Sequence, residues 1–204
     1  MSKGIFITFE DSEGSGKSTQ ARLLYKYLKQ RGYKAVFLRE PGATKISEKI
    51  RKILLDKKNN SITPITEMLL YMAARAQVVN EVIKPALKRG AIVISDRFLD
   101  STLAYQGYGL GLSIKLIKNI GEFVTQSLRP DLTVFLDRAV TVGLICRKGR
   151  KDRIEERSLA YHRKVRNGYL KLAAAEPNRI KVIKVAPEKS VTQKRIRELV
   201  SDVI

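Results

Sequence analysis

A parallel α/β sheet covered by helices on both faces is the fold class this sequence predicts, and three observations predict it. Short apolar, β-rich runs recur at residues 4–9, 34–38, 91–95, 132–136 and 180–185. Helical patterns alternate with them near 17–31, 44–56, 66–88, 113–128, 153–174 and 189–203. Polar motifs follow the first three strands directly, as expected if they share the carboxyl edge of a five-stranded sheet. At 204 residues one domain, 1–204, is the natural reading, with no repeat, low-complexity tract or linker to divide it.

The first strand runs into the most informative segment. Gly4 to Phe9 is a mostly apolar strand run, a tight Gly/Ser turn follows, and Gly16-Lys17-Ser18 opens a helix carrying Leu23, Leu24, Tyr27 and Leu28. Backbone N–H groups of Ser15, Gly16, Lys17 and Ser18 at a helix N-terminus make a cradle for an anion. The Lys17 ammonium suits outer phosphates, and the Ser18 hydroxyl can complete a Mg²⁺ shell, so a nucleoside triphosphate is the expected ligand. The P-loop consensus has glycine at position 11, where this chain has Asp11. A carboxylate there is electrostatically unhelpful to phosphate.

After the second strand comes Arg39-Glu40-Pro41-Gly42, whose guanidinium stands at a strand end and suits phosphate oxygens bidentately. The third helical pattern places Tyr71 and Arg75 four residues apart on one face, an aromatic plate beside a hydrogen-bonding fork that could take a flat base. The third strand ends in Asp96-Arg97. The aspartate can organise Mg²⁺ and water, and the arginine can clamp a transferring phosphate. Ser101 and Tyr105 then share a helical face near the same strand end.

Composition narrows the class. Forty Lys and Arg against 20 Asp and Glu give a formal charge of +20, which suits anionic partners. Lys26, Lys29, Lys49, Lys52 and Lys118 look spread along solvated helix faces rather than gathered into a nucleic-acid track. Cys146 is the only cysteine, so a disulfide framework and a zinc cluster are excluded. No apolar run approaches the ~20 residues of a membrane span and no signal-peptide core is evident, so the cytoplasm is expected. His162 and Cys146 are expected to do no chemistry.

Together these motifs closely resemble the thymidylate kinase family. The resemblance rests on Phe9-Glu10 with Gly14 to Gln20, Leu38 to Gly42 with the helix Ile46 to Arg51, and Ala73 to Gln77 with Ile83 to Leu87. Ser95 to Phe98, Ala104 to Gly107, Asp152 to Glu155 and Val165 to Leu170 extend it, so that it covers residues 4 to about 185 in order. It implies Mg²⁺-dependent transfer of the ATP γ-phosphate to dTMP. Glu13 to Ser18 and Thr19 would hold the ATP, with Lys17 and Ser18 on its phosphates and metal. Glu13 would also bond the sugar 3′-OH of the monophosphate. Arg39 and Arg97 would grip the acceptor phosphate, and Asp96 would share the metal with Ser18. Tyr71 would stack on thymine and Arg75 address its carbonyl, while Tyr105 would exclude a 2′-OH, with Ser101 and Gln106 in support. The resemblance further implies a homodimer through helices on one side of the sheet.

Residues 147–153 are a dense basic run, and a short lid near 146–153 is expected. In the family, glycine at position 14 goes with a catalytic arginine from this lid, so Arg150, then Arg147, then Arg153 are the candidates. The chain departs from the family pattern at Asp11, Leu110 and Asp137 to Val140, which motivates two alternatives. One is a monophosphate kinase with relaxed base choice. The other is a catalytically weak P-loop protein that binds nucleic acid.

Overall fold

The structure, a computed structural model, describes residues 4–146 and 151–204. Five strands, β1 (Ile5–Glu10), β2 (Ala35–Arg39), β3 (Ile92–Asp96), β4 (Leu132–Asp137) and β5 (Ile180–Lys184), pair in parallel in the order β2-β3-β1-β4-β5. Each expected strand is present to within a residue or two.

Alternation along the strands sorts the core into two layers. Ile7 and Phe9, Ile92 and Ile94, and Leu132, Val134 and Leu136 face helices α1 (Lys17–Gln30) and α9 (Lys189–Ser201), meeting Leu24, Leu28, Ile196 and Val200. The intervening Phe6, Val93 and Phe135 face the other way. That side is covered by α3 (Pro64–Val78), α4 (Lys84–Lys88), α6 (Ile114–Thr125) and α8 (Leu159–Ala175). Each fully buried Leu, Ile or Phe contributes about 1.5–3 kcal/mol of transfer free energy, so both layers hold the sheet firmly.

Local signals explain the helix boundaries. Helix α2 (Lys45–Leu55) starts where the Thr44 hydroxyl accepts the Ser47 N–H at 3.1 Å, and α3 where Thr63 does the same for Thr66 ahead of Pro64. The single helix expected over 66–88 is interrupted by a π turn at Val79–Ile83. Pro85 lacks an N–H and would crowd the carbonyl four residues back, and widening the turn relieves this. A further helix, α5 (Leu99–Thr102), runs into a second π-helical segment, Leu103–Gly109.

Two boundaries correct the sequence reading. The helix expected from 153 begins at Leu159, where Ser158 caps Tyr161. Before it, the Asp152 carboxylate accepts the Ile154 and Glu155 N–H groups and folds a compact turn instead. Helix α7 (Val140–Cys146) was not anticipated at all. Its run of apolar and β-branched residues reads as neither period.

Candidate functional site

The first three strands end on one cavity of about 350 Å³. Its donor-side lip is the turn after β1. Gly16, with φ of 87° and no atom within 4 Å of where a Cβ would lie, turns the chain so that α1 begins at Lys17. Lys17, Ser18 and Thr19 line the cavity with Gly14 and Gly16. The buried Lys17 ammonium pairs with Asp96 and lies 3.9 Å from Asp11 Oδ1. Burial would raise the Asp96 carboxyl, but Lys17 and the Ser18 hydroxyl override it and hold the group below the usual carboxylate range.

The opposite wall is a buried web around Arg97. Its φ of 75° turns the chain sharply after β3, and its N–H continues the ladder to the Phe9 carbonyl at 2.9 Å. The guanidinium donates to Asp11 Oδ1 at 2.9 Å, to the Asp11 carbonyl at 3.1 Å and to Glu13 Oε1 at 3.2 Å. It also donates to the Ser101 hydroxyl at 3.2 Å, and it stacks on the Tyr105 ring at 4.9 Å. The Tyr105 hydroxyl reaches Ser12 O at 2.6 Å and Glu13 Oε1 at 2.7 Å. Burial pushes Glu13 up to about 7 against the pull of Arg97, with Asp11 adding to the rise. Glu10 behind it, fully buried and accepting from Phe98 N, Ser101 and Tyr169, is also pushed up to about 7 by burial and then by Asp100.

Arg39 lines the same cavity, with its guanidinium turned to Pro41 O at 2.9 Å and to both Glu48 oxygens at 3.0 and 3.1 Å. Lys17, Arg39 and Arg97 therefore share one pocket. Tyr71 and Gln106 line it as well, and Gln106 is fixed by donation to Glu67 at 2.8 Å. Arg75 stands behind the wall. It is buried and donates to Glu40, Thr102, Met72 and the Phe98 carbonyl, so four of its five N–H groups are used inside the protein. Ser15 also lies off the cavity lining, its hydroxyl given to Asp11 Oδ2 at 2.8 Å.

Arg147 and Arg150 fall outside the described residues. Arg153, the third lid candidate, does not face the cavity. It is buried, donating to Leu54 O at 2.9 Å and to Glu67 Oε2 at 2.6 Å, and Arg157 joins the same carboxylate at 2.7 Å. Glu67 anchors the turn that carries Asp152 and Glu155 to the cavity. Gly14, at φ 65°, lies so close to α7 that a Cβ would fall 1.9 Å from the Gly143 carbonyl oxygen. No side chain fits there, and α7 rests backbone to backbone on the turn. His162 is buried edge-on against Tyr161, a packing position.

Sequence reasoning passed over Glu10, Arg51 and Tyr169. Arg51 lines the cavity beside Arg39 and donates to Pro41 O at 3.0 Å. A cation two turns beyond the Thr44 cap and on the side of Glu48 was a usable signal for it. For Tyr169, 72 residues from its Arg97 contact at 3.4 Å, no local signal exists.

A parallel sheet in this strand order, with a Gly16-Lys17-Ser18 turn at its central strand and Arg39 and Arg97 lining the same cavity, defines a P-loop phosphotransferase of the nucleotide-kinase class. The chain belongs to the thymidylate kinase family, whose profile it matches over residues 9–196. It is 50% identical over 201 residues to the thymidylate kinase of Symbiobacterium thermophilum, covering 98% of this chain and 94% of that one. It is 54% identical over 184 residues to that of Pelobacter propionicus, covering 86% and 84%. The crystal structure of thymidylate kinase from Ehrlichia chaffeensis superposes with a TM-score of 0.80 at 32% identity, covering 97% of this chain and 99% of that one.

Proposed function

We propose that this protein transfers the γ-phosphate of ATP to dTMP, giving dTDP and ADP. The observation that carries the reading is the single cavity on which Lys17, Arg39 and Arg97 converge from three strand ends. A phosphate oxygen of dTMP attacks the γ-phosphorus, and the bond to the β–γ bridging oxygen breaks as ADP leaves. Positioning and charge neutralisation suffice for this, with no covalent enzyme intermediate.

The ATP phosphates rest on the N–H groups of residues 14–19, with Lys17 leaving Asp96 to meet them. Arg97 and Arg39 hold the acceptor phosphate, Tyr71 stacks on the base, and Glu13 and Tyr105 bracket the deoxyribose. Gln106 and Ser101 support them, while Arg75, buried off the cavity, braces Glu40 and the Phe98 carbonyl behind the wall rather than touching the base. An ionised Asp96 bonded to the Ser18 hydroxyl fits Mg²⁺, a hard cation taking oxygen ligands. When bound, Mg²⁺ neutralises charge on the donor phosphates. Arg150 or Arg147 completes that neutralisation from the lid, which also excludes water.

A homodimer is supported by a run of exposed apolar side chains on adjacent helices. These are Ile46 and Ile53 on α2, Ile65 and Leu69 on α3, and Leu116 and Phe123 on α6, Phe123 being 83% exposed. Light scattering should give the mass of two chains. A cytoplasmic setting fits a reaction that consumes ATP, and no helix among the described residues is long and apolar enough to cross a membrane.

A coupled ADP-release assay with dTMP, dUMP, dGMP, dCMP and UMP tests the reaction. The highest kcat/KM is expected for dTMP. Acceptance of none of the five would overturn the reading, and equal efficiencies would transfer it to a kinase of broad base choice.

A further inference from the structure

The layer formed by α1 and α9 carries a cation surface that the phosphotransfer site does not use. Residues 14 to 39 contain seven cations, Lys17, Arg22, Lys26, Lys29, Arg31, Lys34 and Arg39, and no Asp or Glu. Lys17 and Arg39 belong to the cavity, and the other five are exposed. On α1, Arg22, Lys26 and Lys29 follow one another at i, i+4 and i+7, forming a single stripe.

Helix α9 packs alongside and adds exposed Lys194 and Arg197. The Arg197 guanidinium lies 4.1 Å from the Tyr27 ring centroid, and Arg31 lies 5.4 Å from the same ring. Arg22 sits 5.4 Å from the Phe37 ring on edge strand β2. The sequence puts Lys26 and Lys29 on a solvated helix face, and both are exposed there. Folding gathers them with cations about 170 residues away in sequence.

Stability does not account for this surface. Like charges at i, i+4 weaken a helix by a few tenths of a kcal/mol per pair, and on α1 no acid offsets them, whereas α9 carries Glu198 four residues after Lys194. Among the described residues, none of Arg22, Lys26, Lys29, Arg31, Lys194 and Arg197 is in an ion pair. On the opposite layer the more buried Arg75, Arg153, Arg157 and Arg179 are ion-paired, and the exposed Lys88, Arg89, Arg163 and Lys164 there are not, among the described residues. The α1–α9 face thus stands apart by how its cations gather around aromatic rings rather than by their being unpaired.

We infer that the α1–α9 face binds the phosphate backbone of nucleic acid, without reading its sequence. The three α1 cations stand about 6 and about 4.5 Å apart along the helix axis, so neighbouring side chains can reach different phosphates of a strand whose charges repeat about every 3.4 Å along the duplex axis. Guanidiniums held on aromatic rings keep their forks free for phosphate oxygens. An anionic membrane fits less well, because the large exposed apolar side chains of α2, α3 and α6 are on other helices, while this face offers planar rings under guanidiniums. Kinase turnover does not require this face, so the two readings fail independently.

Fluorescence anisotropy of a labelled duplex of about 20 base pairs, titrated from about 50 to about 200 mM salt, tests the inference. Six cations each meeting one phosphate give a log–log slope of about −5. The variant Lys26→Gln, Lys29→Gln, Arg31→Gln, Lys194→Gln should flatten that slope by about 3 to 4 and weaken binding at least about tenfold, with dTMP kinase activity retained. A matched variant, Lys88→Gln, Arg89→Gln, Arg163→Gln, Lys164→Gln, removes the same charge from exposed positions elsewhere and should leave the slope nearly unchanged. Equal losses in the two variants would overturn the inference in favour of net charge alone. Absence of duplex binding would also overturn it, as would binding confined to vesicles containing phosphatidylserine.

Discussion

The two sides of the cavity are built on opposite plans. The donor lip, residues 14–19, is made of backbone N–H groups, two glycines at positive φ and one ammonium, with Ser18 and Thr19 open to solvent. The acceptor wall is made of side chains, with Glu10, Asp11, Glu13, Ser101, Tyr105 and Tyr169 all packed on or behind Arg97. A lip of peptide groups recognises any phosphate chain and needs little upkeep from the rest of the fold. A wall of buried carboxylates and one guanidinium is specific only because each member holds the next in place. Substitutions on the lip should therefore damage chemistry alone, and those on the wall should damage acceptor binding and stability together.

The largest expected effect tests the lip. Lys17→Met should lower kcat about a thousandfold, the scale of removing one preorganised charge from a transition state. Binding of dTMP, measured by calorimetry without ATP, should stay within about threefold, since Lys17 meets the donor rather than the acceptor. A matching collapse of dTMP affinity would break the division. Arg97→Lys tests the wall. An ammonium cannot span Asp11, Glu13 and Ser101 at once, so kcat/KM for dTMP should fall about a hundredfold while the KM for ATP changes little.

The lip was legible in the sequence because everything it needs is local. A strand, a glycine turn and a helix start lie within Gly4 to Gln20, and each leaves a signature in spacing. The wall was only partly legible. Asp96 and Arg97 announce themselves at a strand end, but Tyr169 reaches Arg97 from α8, and Glu10, placed just past the first strand, gave no sign of the buried contacts it makes. Arg75 shows the limit most clearly. Its spacing from Tyr71 correctly put both on one helix face, yet spacing could not reveal that Glu40, Thr102 and the Phe98 carbonyl would claim most of its donors. The α1–α9 surface was missed for the same reason, since charge clustering across helices appears only after packing.

The wall's carboxylates also predict a pH dependence of stability. Glu10 titrates near 4.5 when unfolded and at about 7 when folded. Between those values the native state keeps a proton that the unfolded chain has released. Stability from this group is complete below about pH 4.5 and is lost as pH rises through 7. Glu13 adds a loss of the same sign, and buried His162, whose folded pKa is lowered, opposes both. The melting temperature measured from pH 5 to pH 8 should fall less steeply in Glu10→Gln than in the parent, each kcal/mol being worth about 2–4 °C. An unchanged slope would place the native Glu10 proton elsewhere.

The smallest effect concerns Asp11, where the two sides meet. A glycine is not needed there for conformation, because Asp11 is not among the residues at positive φ. Its carboxylate accepts from Arg97 and Ser15 and lies 3.9 Å from Lys17, so it binds the wall to the lip while competing with phosphate for both cations. These contributions oppose each other, and Asp11→Gly should change kcat/KM by less than about tenfold. The clearer signal is electrostatic. Asp11 helps push Glu13 up, so its removal should shift the Glu13 limb of the kcat/KM profile to lower pH even where the plateau barely moves. A large gain in the plateau would mean instead that the carboxylate blocks phosphate and that the wall would hold Arg97 well enough without it.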